Sequence, residues 1–260
     1  MKKHLSSILV AVALNFNAAL LVHAQEFSVT SFPPVDAATA FQSMKNPVVP
    51  TIKYNKAGTP DAGFLQRHEK YVAMAKEKKP QLLFLGDSLT ERWERPGAAE
   101  IFASNFGPYN AAAFGISGDC TQHLLWRVTN GELDGSPKVI VLLIGTNNST
   151  LVEAEHMVKG VTKVVETIRA EAPASKIILV SLLPRGERPN GLREKVLKAN
   201  HYIARLDDGT SVFFLDIAGK FLEPDETISK EVMSDFLHLT PKGYQIFADA
   251  LKPRVDELMK

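Results

Sequence analysis

Hydrophobic positions along this chain change their period several times, and each change predicts an element. Between Ala62 and Lys79, Phe64, Tyr71 and Ala75 recur at near-helical spacing and Pro80 closes the segment, which predicts a helix. Leu82–Leu85 is an apolar run of strand length. Tyr109–Ala113 predicts a second short strand, and a glycine-bearing loop then leads to a helix from about Thr121 to Val128. Val139–Ile144 is apolar without a break, the pattern of a strand covered on both faces. Met157, Val161, Val164, Val165 and Ile168 follow at i, i+4, i+7, i+8 and i+11, a helix that Pro173 ends. Ile177–Leu183 reads as the fourth strand, Leu192–Leu206 as a helix and Val212–Leu215 as the fifth strand. Gly243–Leu258 closes the chain as a helix with Pro253 as a kink point. Strands and helices that alternate in this way predict an α/β fold, a parallel sheet covered on both sides.

The first 60 residues follow neither period. Lys2 and Lys3 precede an apolar stretch from Leu5 to Leu21, and Val22-His23-Ala24 offers a cleavage site, so residues 1–24 read as a secretory signal peptide. An uncleaved anchor is the alternative, weakened by Asn15 and Asn17. The expected location is secreted or periplasmic. Residues 25–60 are punctuated by Pro33, Pro34, Pro47, Pro50 and Pro60 and read as an extended arm that wraps the domain, packed through Phe27, Phe32, Phe41 and Tyr54. Residues 61–260 form one domain. No later apolar run is long enough to span a bilayer.

Composition narrows the chemistry. With 30 Lys and Arg against 29 Asp and Glu, the charge gives no case for a nucleic-acid partner. The one cysteine, Cys120, forms no internal disulfide and reads as a buried filler. No Cys/His set at zinc spacing and no phosphate-cradling loop stands in the sequence, so neither metal nor cofactor is expected.

In a parallel α/β sheet, ligands bind outside the carboxyl ends of the strands. Those ends carry Gly86-Asp87-Ser88, Gly115-Ile116-Ser117-Gly118-Asp119 and Gly145-Thr146-Asn147-Asn148. Ser88 after a buried strand reads either as a helix cap or as a nucleophile. A serine hydroxyl attacks only when a base removes its proton, and the stretch Asp235-Phe236-Leu237-His238 supplies a histidine and a carboxylate three positions apart. The oxyanion created by attack needs donors, and the candidates are the Ser88 N–H, the Gly118 N–H and the Asn147 side-chain amide. Trp126 and Asp119 read as core and loop-organising residues, His123 as structural, and Arg185 as a side chain able to reach the rim.

Four blocks, LGDSLT, GISGD, GTNN and DFLHLT, stand in order along the chain. With these blocks the sequence resembles the SGNH, or GDSL, hydrolases from about His68 to Leu258. Within them it is most similar to the catalytic-subunit type of platelet-activating-factor acetylhydrolase. The resemblance implies Ser88 as nucleophile, Asp235 as orienter, His238 as base, and Ser88, Gly118 and Asn147 as oxyanion donors. It also implies a flavodoxin-like, three-layer fold with a five-stranded parallel sheet, no metal, and in similar enzymes a homodimer. The expected activity is a serine esterase acting on short, chiefly acetyl, esters. Since exported bacterial relatives often act on acetylated sugars, O-acetyl groups on carbohydrates are the expected substrate. A phospholipid acetylhydrolase, a lysophospholipase or thioesterase, and a glycan- or lipid-binding module without turnover are the alternatives.

Overall fold

The computed structural model of the chain describes residues 32–260, so the expected signal peptide and residues 25–31 lie outside the described residues. Five short runs form one parallel sheet: β1 (Leu82–Gly86), β2 (Ala111–Gly115), β3 (Val139–Leu143), β4 (Lys176–Val180) and β5 (Val212–Leu215), in the order β2-β1-β3-β4-β5. Every residue of β1 and β3 is buried, as their unbroken apolar runs require. The expected flavodoxin-like α/β architecture is the one observed.

Among the described residues eight α-helices accompany the sheet: α1 (Ala37–Met44), α2 (Ala62–Lys78), α3 (Ser88–Glu91), α4 (Ala98–Phe106), α5 (Thr121–Arg127), α6 (Ala154–Glu171), α7 (Gly191–Ile203) and α8 (Pro241–Leu258). Parallel crossovers are right-handed, so the β1-to-β2 connection through α4 takes one face. The oppositely directed connections through α5, α6 and α7 take the other. The α4 face is glued by aromatic rings, with Trp93 4.3 Å from Tyr244 and Phe84 5.0 Å from Phe106 between ring centres. Strand order reverses between β1 and β3, and the crevice at that switch point is where this topology holds ligands.

Several boundaries differ from the sequence expectation, each for a local reason. β2 starts at Ala111, because Gly107–Tyr109 make a 3₁₀ turn and Asn110 takes a left-handed φ of 50°. β4 ends at Val180 although Leu182 and Leu183 are buried. The Asn200 side chain donates to Leu182 O and accepts from Leu182 N, both at 2.8 Å, doing the work of a neighbouring strand. The helix expected to end at Val128 continues as a π-type turn over Val128–Glu132. Pro253 sits inside α8 without ending it. The segment expected to be extended contains α1, capped by Asp36, whose carboxylate accepts from Thr39 N at 2.9 Å. α4 has no counterpart in the hydrophobic pattern, since it buries only Ala98 and Phe106.

Candidate active site

The turn that carries Ser88, the expected nucleophile, is built by three neighbouring devices. Asp87 follows β1, and its carboxylate accepts from Leu89 N at 3.0 Å, capping α3. Ser88 is therefore the first helical residue, and its N–H has no acceptor within the helix. β2 presses close beneath: a Cβ on Gly115 would stand 2.1 Å from Glu91 N and 2.6 Å from Asp87 O. Tyr71 Oη donates to Gly115 O at 2.8 Å and fixes that strand end from the other side.

The imidazole arrives from the far end of the chain. An isolated antiparallel bridge between Met233 and Leu239 closes the loop before α8, and Phe236 inside it takes a φ of 59°. Asp235 and His238 sit on this non-helical loop. Asp235 Oδ1 accepts from Leu237 N at 3.2 Å and from His238 N at 2.7 Å, an Asx-type turn. Its Oδ2 lies 2.6 Å from His238 Nδ1, and His238 Nε2 lies 3.0 Å from Ser88 Oγ. Tyr244, on α8, donates to Leu89 O at 2.8 Å and ties the histidine-bearing segment to the nucleophile helix. Burial works against the Asp235 charge, yet the His238 ring and the two backbone N–H groups outweigh it and hold the carboxyl down at about 2.

The two remaining rim loops close on the same point. Gly118 has φ +78°, and a Cβ built there would meet nothing nearer than Lys53 Nζ at 3.8 Å, so its backbone is open to an approaching atom. Asn147 Nδ2 donates to Asp119 O at 2.8 Å and stands 3.5 Å from Asp87 Oδ2. Asp87 is fully buried, and that burial pushes its carboxyl up to about 7. The Leu89 N–H pulls it down and the Asp119 charge raises it.

Beneath the rim lies a buried ionic cluster. Arg127 donates to Gly86 O at 3.1 Å and Phe114 O at 2.6 Å, bridging the carboxyl ends of β1 and β2. It also pairs with Asp119 Oδ2 at 2.9 Å and Glu132 Oε2 at 2.8 Å, while Glu132 Oε1 contacts His68 Nδ1 at 2.8 Å. Burial opposes the guanidinium charge, but the two carboxylates outweigh it and raise its pKa.

The profile of the GDSL-like Lipase/Acylhydrolase family matches residues 84–246, which include all four rim and loop segments. Platelet-activating factor acetylhydrolase IB subunit alpha2 of Rattus norvegicus is 41% identical over 202 residues, covering 77% of this chain and 86% of that one. The chain belongs to the GDSL-like acylhydrolases. It is a carboxylic ester hydrolase. Two solved structures share its fold at lower identity. A GDSL-like lipase from Bacteroides thetaiotaomicron superposes with a TM-score of 0.62 at 20% identity, over 73% of this chain and 97% of the other. An acetyl xylan esterase gives 0.58 at 22%, over 67% and 98%.

Within this acylhydrolase the five residues expected from sequence occupy one sheet edge. Ser88 contacts His238 and His238 contacts Asp235, while Asn147 stands 3.5 Å from the Asp87 carboxylate next to Ser88 and is joined through Asp119 to the Gly118 turn. Trp126 and Cys120 are buried as expected, and burial pushes the Cys120 thiol up to about 12, leaving it protonated and inert. His123 is structural: Nδ1 accepts from Cys120 N at 3.0 Å, and burial drives its pKa down to about 4. Arg185 reaches the rim, donating to Thr146 O at 3.0 Å beside Asn147. Sequence reasoning missed the Arg127 cluster, whose one signal is an arginine eight positions after Asp119, directly behind the apolar run Leu124-Leu125-Trp126. It also missed Lys53, for which no local pattern existed.

Proposed function

We propose that this acylhydrolase is a serine esterase that removes short acyl groups, chiefly acetyl, from an alcohol. His238 Nε2 takes the Ser88 proton as Oγ attacks the ester carbonyl, and Asp235 holds the tautomer with the proton on Nδ1. The carbonyl oxygen, now negative, rests on the Ser88 and Gly118 N–H groups and on Asn147, where it replaces the long Asp87 contact. His238 returns the proton to the departing alkoxide, leaving an acyl-Ser88. Water, deprotonated by the same ring, then cleaves that ester and releases the carboxylic acid and free serine. The observation that carries this reading is the continuous run Ser88 Oγ, His238, Asp235 at 3.0 and 2.6 Å.

An acetylated phospholipid is the first substrate reading, supported by the relatives named for platelet-activating factor. A second reading, acetyl on a carbohydrate, is favoured by the groove of about 550 Å³ beside the Ile116–Ser117 turn. Its lining carries Gln66, Arg67, Lys70 and Glu91 beside Phe64 and Ile116, polar groups around apolar faces that suit a hydroxyl-rich ring. Export of the chain, secreted or periplasmic, rests on the pattern of its first 24 residues.

A fluorophosphonate probe should label the wild type at Ser88 and leave Ser88→Ala unlabelled and without turnover. Full activity in Ser88→Ala removes the proposal. p-Nitrophenyl esters from C2 to C12 should give their best rate at C2, and a maximum at C8 or longer rejects the acetyl preference. Acetate release from an acetylated glycerophospholipid against acetylated xylan separates the two substrate readings.

A further inference from the structure

One cation at the rim belongs to no part of the chemistry above, and it comes from outside the region matched by the family. Lys53 lies in the segment before α2, well upstream of residue 84 where that match begins. Its Nζ forms an ion pair with Asp119 Oδ1 at 2.8 Å and donates to Ser117 O at 2.8 Å. It thus grips the residues on both sides of Gly118. It packs 5.4 Å from the centre of the Phe64 ring, and its side chain is only 16% exposed.

Asp119 is the joint through which this grip travels. Its carboxylate is fully buried and held on the second oxygen by Arg127. Its backbone carbonyl accepts from Asn147 Nδ2, and the residue before it is Gly118. The two oxyanion donors contributed by separate loops are therefore both one covalent or hydrogen-bonded step from a group that Lys53 holds. The backbone around Lys53 is anchored to the same place. Thr51 N donates to Gln122 O at 3.2 Å, Thr121 Oγ1 to Pro47 O at 2.8 Å, and Gln122 Nε2 to Met44 O at 2.8 Å. On the other side Asp61 N donates to Lys53 O at 2.8 Å, and Ile52 is buried.

We infer that Lys53 is a positioning residue for the oxyanion cradle, and that the N-terminal arm completes the active site by docking it onto the Ser117–Asp119 turn. The cradle works only if its donors point where the oxyanion will form, before it forms. A turn containing a glycine at positive φ does not hold that geometry by itself, and a buried carboxylate with one cation removed pulls toward the other. Lys53 touches neither the hydroxyl nor the imidazole, so its loss acts through the placement of Gly118 and Asn147. This inference rests on the esterase reading above.

The test compares Lys53→Met, which keeps the length of the stem without the charge, with Lys53→Arg, on p-nitrophenyl acetate. Lys53→Met should lose on the order of 10- to 100-fold in kcat with KM within about twofold, the signature of a misplaced transition-state contact. Lys53→Arg should recover most of that loss. Wild-type kcat in a folded Lys53→Met overturns the inference, and so does an equal loss in both variants, which marks a packing role only. If Lys53→Met does not fold, Lys53→Gln is read against Lys53→Arg by the same criterion, and failure of every uncharged variant to fold also overturns it. Probe labelling of Ser88 in the wild type keeps the two readings apart: labelled Ser88 with a silent Lys53 sinks this inference alone, and an unlabelled wild type sinks the esterase reading.

Discussion

Three carboxylates near Ser88 do different work because their surroundings differ. Asp235 is half exposed and receives two backbone N–H groups and an imidazole, so it stays ionised down to about pH 2. Asp119 is buried between Lys53 and Arg127 and serves as a joint. Asp87 is buried beside Asn147 without a paired cation in contact, and its carboxyl is pushed up to about 7. A carboxyl whose pKa is raised on folding binds more protons folded than unfolded between its two pKa values, so stability falls as pH rises through that window. The wild type should therefore lose stability from about pH 4 to pH 7 by a contribution on the order of a few kcal/mol, and Asp87→Asn should not show that contribution. Urea unfolding of both proteins at pH 4.5, 6 and 7.5 checks this. Parallel pH profiles would exclude Asp87 as the source.

At the scale of elements, the site depends on how closely the β2 end lies under α3. Gly115→Ala drives a methyl into Glu91 N and the Asp87 carbonyl, which cannot rotate away. The cost of such overpacking is roughly 1–3 kcal/mol or more. The nucleophile turn must also shift, so kcat should fall with stability, and a melting curve with a rate assay on the same sample reads both. Elements whose residues bury a periodic face were legible before the structure: α2 and α6 show it, as do the solid apolar runs of β1 and β3. α1 was not, because it buries only Ala40 and sits among prolines. α4 was not either, since only Ala98 and Phe106 are buried, at its two ends. The triad was legible because hydroxyl, carboxylate and imidazole announce themselves by type. Lys53 was not, since its role comes from an arm folding back onto a turn 64 positions away.

On the scale of the whole molecule, 30 Lys and Arg stand against 29 Asp and Glu, and no helix among the described residues is long and apolar enough to cross a membrane. The site at the sheet edge joins segments far apart in the chain. The Ser88 hydroxyl and the His238 ring are 150 positions apart, and the segment bearing the ring is tied down by the last helix through Tyr244. Contacts of that span form late, after local helices and neighbouring strands. During refolding from urea, far-ultraviolet ellipticity should therefore return before hydrolysis of p-nitrophenyl acetate, and simultaneous recovery would contradict that order. A newly made chain whose Asp235–His238 loop is still inside the ribosome would carry a finished-looking sheet and an idle serine. Catalytic competence in this enzyme thus doubles as a certificate that the chain has been made through the His238 loop and the helix that anchors it.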